Sequence, residues 1–244
     1  MRITRIFALV ALSLFILCSA AVAGDFATLN FIGFSKDGKY LAFEEYGVQD
    51  GSGFPYSHFY FIDVAKNSYA ATPVTVRIDK ETATERLARS RAKLGAGAAL
   101  RRLRIIEGNT GSLVVARLLT DPKAYRDSKD DEQTINFAEI IGSLYRRGNY
   151  DLVLRSSEVK GIKDCDYNDD PIQKLELVLK DNDAGTTKVL QKDANLPASR
   201  ACPLSYRMQY VYLYQDHVAV FVNTYHMGFE GPDMRYMVVT GKYK

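Results

Sequence analysis

Five acidic residues sit beside two glycine-rich stretches near opposite ends of the chain. Glu44, Glu45 and Asp50 flank residues 47–57, and Glu230 and Asp233 lie in a second stretch that begins at Gly228. Carboxylates brought together in pairs do general acid and base work, or form an oxygen cage for a cation. Glu44 and Glu45 are neighbours in a strand-like run, so they point to opposite faces and cannot share one cleft. An acid/base pair therefore needs one carboxylate from each stretch, with the two loops in contact. The commoner role of such acids is to satisfy loop amides and to pair with Arg200 or Arg235.

Other constellations are weaker. Asp164, Asp166, Asn168 and Asp170 alternate like the first oxygens of a calcium loop, but Asp169 and Leu175 occupy the positions of its turn glycine and closing glutamate. They make a weak calcium candidate, and no metal site or cofactor is expected. His58, His217 and His226 lack the i, i+4 spacing of a helical zinc site. Asp50-Gly51-Ser52-Gly53 lacks the spacing of a nucleophile elbow. A Ser-His-Asp triad is defined by geometry rather than order, but strand or surface positions are the ordinary fate of scattered histidines.

The elements that must position these residues are mostly strands. Phe31–Phe34 and Tyr40–Phe43 flank an Asp37-Gly38 turn, a strong hairpin signal. The run His58–Val64 is apolar at nearly every position, which implies burial on both faces. With a fourth strand near 74–78, these form one compact sheet. Further strand-like runs begin near residues 113, 134, 150, 174, 186, 210, 218 and 235. About a dozen short strands imply a mainly-β fold with propeller-like or sandwich-like antiparallel sheets and one amphipathic helix.

That helix is expected within residues 80–104, where alanine and long straight side chains dominate. Ala83, Leu87, Leu94 and Ala98 make a thin apolar stripe for the sheet, with Gly95 and Gly97 interrupting or ending the helix. Eight basic and two acidic residues give this segment a local charge of +6. The ordinary reading is a solvated face; the functional one is contact with another envelope protein or an anionic surface. The segment has no aromatic residue for stacking on bases, so no nucleic acid is expected.

Residues 1–23 read as a signal peptide: Arg2 and Arg5, an apolar run from Ile6 to Leu17, then Ala21-Val22-Ala23 before Gly24. Residues 24–244 then form a single secreted or periplasmic domain with no stable membrane anchor. Without Arg2 and Arg5 the 32 basic residues become 30 against 29 acids, a net charge of +1. No global field draws the mature chain to nucleic acid or membrane. Cys165 and Cys202 remain as an even pair in an oxidising compartment, so they are expected to form a disulfide contributing about 3–4 kcal/mol.

The two ends also echo each other. Asp37-Gly38, Tyr46 and Gly53-Phe54 recur in order as Asp216-His217, Tyr225 and Gly228-Phe229. If the end strands meet to cover exposed edges, the two loops pack together across the seam. Phe54 and Phe229 would then be core, and Phe229→Ala would cost about 3–5 kcal/mol.

Two resemblances follow from these segments. FSKDGKYLAF, followed by FYFIDV, resembles a blade of the periplasmic Tol-system type of β-propeller. FEEYGVQDGSGFPY at 43–56, LPASRACPLSY at 196–206 and GFEGPDMRY at 228–236 resemble the hallmark segments of a bacterial family of predicted secreted proteins of unknown function. In that family's small-Arg-Gly-Cys-Pro run, Ala201 stands here in place of the glycine. The resemblance implies export and a shared fold, and no reaction. The expected function is a non-enzymatic binding or envelope-interaction module. The alternatives are a hydrolase of a cell-envelope substrate using loop carboxylates and a calcium-stabilised structural protein.

Overall fold

The computed structural model describes residues 24–118, 132–141, 145–162, 165, 171–229 and 231–244. The leader 1–23, Glu230 and the calcium candidates Asp164, Asp166, Asn168 and Asp170 lie outside the described residues.

The first sheet is a meander of β1 (Thr28–Phe34), β2 (Tyr40–Val48), β3 (Pro55–Asp63) and β4 (Ser68–Arg77). Its first turn is built by the Asp37-Gly38 signal. The Ser35 hydroxyl donates to Asp37 at 2.7 Å, the Tyr40 N–H donates to Ser35 Oγ at 3.0 Å, and Gly38 takes φ +69°. Helix α1 (Glu85–Arg102) follows, then β5 (Ser112–Ala116). The strands β6 (Glu132–Ile141), β7 (Tyr145–Val159), β8 (Ile172–Asp181) and β9 (Thr186–Lys192) form a second meander. The last strands, β10 (Pro203–Tyr214), β11 (His217–His226) and β12 (Asp233–Lys242), join β5 in a sheet of order β12-β11-β10-β5. The echo between the two ends falls on the β2–β3 and β11–β12 hairpins.

These sheets stack face to face, with the β5/β10–β12 sheet in the centre. On β11, Val218, Val220 and Val222 pack against Leu152, Leu154, Leu175 and Leu177 of the β6–β9 sheet. The alternate residues Ala219 and Phe221 pack against Phe34, Leu41 and Phe43 of the first sheet. The other face of the first sheet carries Ala42, Phe59 and Phe61, which α1 covers. β3 is thus buried on both faces, as its unbroken apolar run implies. Sheets stacked this way meet the sandwich-like form of the expectation. The described sheets do not close into a ring of blades, because α1 occupies the face that a further blade would need.

The helix meets the sheet through a different line from the one its leucines suggest. Ala88, Ala92 and Ala96 are fully buried, whereas Leu94 is 84% and Leu87 42% exposed. Small side chains at i, i+4 spacing let the helix lie close while Phe59 and Phe61 supply the apolar area. Gly95 and Gly97 do not end the helix. A Cβ on Gly95 would stand only 3.0 Å from Val74 Cγ1, so the glycine serves the close approach. Thr84 caps the first turn by accepting from the Leu87 N–H, and Arg101 and Arg102 sit at the negative end of the helix dipole.

The ends of the chain do meet. Residues 25–27 run parallel to the start of β12, with the Ala27 N–H donating to Met234 O at 3.0 Å and the Met234 N–H to Asp25 O at 2.9 Å. The two glycine-rich loops also touch: a Cβ on Gly51 would lie 3.3 Å from the Phe229 ring. The expected aromatic core at this seam is wrong, however. Phe229 is 79% exposed and Phe54 half-buried, because Phe229 lies across Gly51 on the outer surface rather than between the sheets. The cost of Phe229→Ala therefore falls far below that of a buried aromatic.

The helix contact gives a direct test. Ala92→Leu should cost about 1–3 kcal/mol by overpacking the helix–sheet interface, while Leu94→Ala should change stability by less than about 0.5 kcal/mol. Denaturant unfolding measures both, and equal effects would mean that the alanine line is not the contact.

Candidate functional site

Between the first and central sheets lies a cleft of about 1020 Å³. Strand alternation supplies one wall, because His58, Tyr60 and Ile62 share a face of β3 while Phe59 and Phe61 turn to the helix. Tyr69 extends that wall, with its ring stacked on Tyr60 at 6.2 Å. The ends of β11 and β12 supply Thr224, His226, Asp233 and Arg235. Pro197–Cys202 forms the remaining side, and the Cys165–Cys202 disulfide tethers its end.

Glu45 lines this cleft and is only 2% exposed. Its Oε1 accepts from the Tyr60 hydroxyl at 2.8 Å and lies 3.4 Å from His58 Nδ1, and its Oε2 accepts the Tyr236 N–H at 2.8 Å. Burial and the neighbouring Glu45 push the Tyr60 hydroxyl well above the usual tyrosine range, which keeps it a donor. Glu44, one residue earlier, faces α1 instead. Arg89 holds it through two 3.0 Å bonds, and Ser57 and Asn30 donate to it at 2.9 and 2.8 Å. The adjacent glutamates thus serve opposite faces.

Arg200 and Arg235 are both engaged. Arg200 pairs with the buried Asp193 at 2.9 Å. Arg235 donates to Asp25 Oδ2 at 2.5 Å and to the Asp25 carbonyl at 2.7 Å, while the Tyr56 hydroxyl holds the other carboxylate oxygen at 2.7 Å. Asp233 Oδ1 accepts the Asp25 N–H at 3.0 Å. Asp50 Oδ1 accepts the Gly51 N–H within its own loop, away from the cleft. The structure thus gathers Glu45, Arg200, Asp233 and Arg235 along one cleft, and leaves Glu44 and Asp50 outside it. Among the described residues, no group of three His, Cys, Asp or Glu side chains could hold a metal ion.

The sequence reading missed His58, His226, Tyr60 and Tyr69 as a set, and Asp25 as the partner of Arg235. Only the period-two spacing of His58, Tyr60 and Ile62 carried a local signal. That His58 and His226 line one cleft depends on how the sheets stack.

A family described as predicted secreted protein (DUF2259) matches residues 42–242, a span that contains every residue lining the cleft. The chain belongs to this family. No curated protein matches it. Among the described residues, no helix is long and apolar enough to cross a membrane.

The family run also bears on the cleft wall. Ala201 adopts φ +49° and ψ −129°, a backbone conformation that glycine reaches freely and alanine reaches only under strain. Ala201→Gly should stabilise the protein by about 1 kcal/mol or more, read as a raised melting temperature, and a lowered one would refute the strain.

His226 supplies a pH dependence. Burial, and then the Arg235 charge, hold its imidazole below the ordinary histidine range, so it is neutral at pH 7. The unfolded chain takes up this proton near pH 6.5 and the folded chain resists it, so the stability His226 contributes is present above about pH 6.5 and lost as the pH falls through its folded value. His226→Gln should flatten the fall in melting temperature below pH 6.5; a curve parallel to the wild type would remove His226 as its cause.

Proposed function

We propose that this chain is an exported, non-enzymatic binding module, cleaved before Gly24, whose ligand occupies the cleft between the first and central sheets. The observation that carries this reading is the buried Glu45 carboxylate in a cleft whose two arginines are already matched by Asp25 and Asp193. Among the described residues its one ion pair within 4 Å is with His58, which carries charge only when protonated, and the Arg235 charge acts on Glu45 from farther away. The walls around it are largely apolar and aromatic, including Ile62, Tyr69, Met237 and Val238. Such a site favours an amphipathic small molecule, with its apolar body on those walls and an amine or other strong donor at Glu45. An anionic head would meet Glu45 and Asp233 without a free counter-charge.

The hydrolase alternative draws on one contact, His58 beside Glu45 at 3.4 Å, which resembles a base oriented by a carboxylate. It needs a nucleophile or a bound water that the loop carboxylates do not supply, since Asp233 is committed to Asp25 and Arg235. The calcium-stabilised alternative rests on residues outside the described ones.

Titration calorimetry with 2-naphthylmethylamine and 2-naphthoate separates these charge preferences. The amine should bind at least about tenfold more tightly, the worth of one charge-assisted contact. Glu45→Gln should abolish that preference without unfolding, because the amide can accept from Tyr236 N–H and donate to a rotated Tyr60 hydroxyl. Equal affinity for both probes, or a preference that survives Glu45→Gln, would overturn the reading. Intact mass of the native protein checks the export half, with Gly24 expected at its N-terminus.

A further inference from the structure

We propose that the outward face of α1 docks onto a bilayer surface rich in anionic phospholipid. This deepens the envelope-interaction reading and rests on it, but it concerns a surface separate from the cleft. In an α-helix each residue turns by about 100°, so Leu87, Leu94 and Arg101 fall on one line, with Arg91 and Ala98 beside it. That line is opposite Ala88, Ala92 and Ala96, which are buried against the first sheet. The apolar stripe visible in the sequence is therefore displayed to solvent.

Four of the charges around the stripe have no ion-pair partner among the described residues. Arg89 is held by Glu44, and Lys93 by Glu107 at 3.0 Å. Arg86, Arg91, Arg101 and Arg102 are exposed, and none has an ion-pair partner among the described residues. They flank two exposed leucines on a helix about 27 Å long that forms the outermost layer of the stack. A hydrated acidic protein or polysaccharide would satisfy the guanidinium groups and leave the leucines in water. A lipid surface satisfies both, with phosphates at the arginines and the headgroup–acyl boundary at Leu87 and Leu94. The proposed site is a surface contact; among the described residues no helix is long and apolar enough to cross the bilayer.

Co-sedimentation with vesicles tests the assignment, using phosphatidylcholine alone and phosphatidylcholine mixed with phosphatidylglycerol. The protein should bind the mixed vesicles and not the neutral ones, and rising salt should release it. The triple variant Arg91→Glu, Arg101→Glu, Arg102→Glu should lose at least about tenfold in partitioning. Leu94→Ser should weaken vesicle binding several-fold yet leave retention on immobilised heparin unchanged. These positions are exposed, so a cooperative melting transition confirms that each variant is folded, with a somewhat lower midpoint expected where Glu replaces Arg101 and Arg102 at the helix C-terminus. Absence of binding to the mixed vesicles overturns the proposal. So does vesicle binding by Leu94→Ser equal to that of the wild type, which would point to a soluble polyanion. Either result leaves the naphthyl probe titration of the cleft untouched, so the two readings fail separately.

Discussion

The fold depends on one strand being dry on both sides. β11 is buried at eight consecutive positions, Val218 to Tyr225, and lies between β10 and β12, which are buried only in part. A sheet with two buried faces cannot alternate apolar and polar residues, and Val218-Ala219-Val220-Phe221-Val222 does not. Each face gives an adjoining sheet its apolar partner, so two separate cores converge on a single wall. The polar groups inside it must then satisfy one another. Asn223 donates to Gln209 at 2.9 Å, and Tyr236 donates to the same Gln209 oxygen at 2.8 Å. Loss of volume at Phe221 would open the interface with the first sheet, where it meets Phe31 and Phe43 ring to ring.

Local signals were legible in the sequence wherever one strand or turn decided the matter. Asp37-Gly38 gave the first hairpin, and the two-faced apolar run gave the buried β3. The opposite orientations of Glu44 and Glu45 followed from strand geometry alone. The cysteine pair followed from redox compartment and parity. What failed was the choice between competing surfaces. Leucine is the stronger hydrophobe, so Leu87 and Leu94 looked like the packing stripe. Against a sheet already filled by Phe59 and Phe61, the helix needed small residues, and alanine took the inner face. Phe229 misled in the same way, since an aromatic beside glycine can lie over a loop as readily as between sheets.

The candidate site was legible only in pieces. Glu45, Arg200, Asp233 and Arg235 were singled out for their charge, but the residues that answer them were not. Asp193, Asp25 and Tyr60 are ordinary in sequence and acquire meaning from stacking and from the chain ends. The cleft is assembled from residues at 43–69, 191–202 and 224–238, and its far wall is tied by a cross-link. A reader of sequence sees the donors and acceptors, whereas their matching is a property of the tertiary arrangement.

The pairing of Asp25 with Arg235 and Tyr56 has a consequence in time. A chain made from its N-terminus exposes Asp25 at the outset and Arg235 only after 210 further residues. Until then the acid has no guanidinium, the edge of β12 does not exist, and the side of the cleft nearest the chain ends is missing. Contacts of such long sequence separation form slowly, because a large loop must close before they are rewarded. The nascent chain can therefore complete the first sheet and its helix while the cleft is still incomplete. Removal of the last ten residues, 235–244, would take away Arg235 and most of β12 and leave Asp25 without its latch.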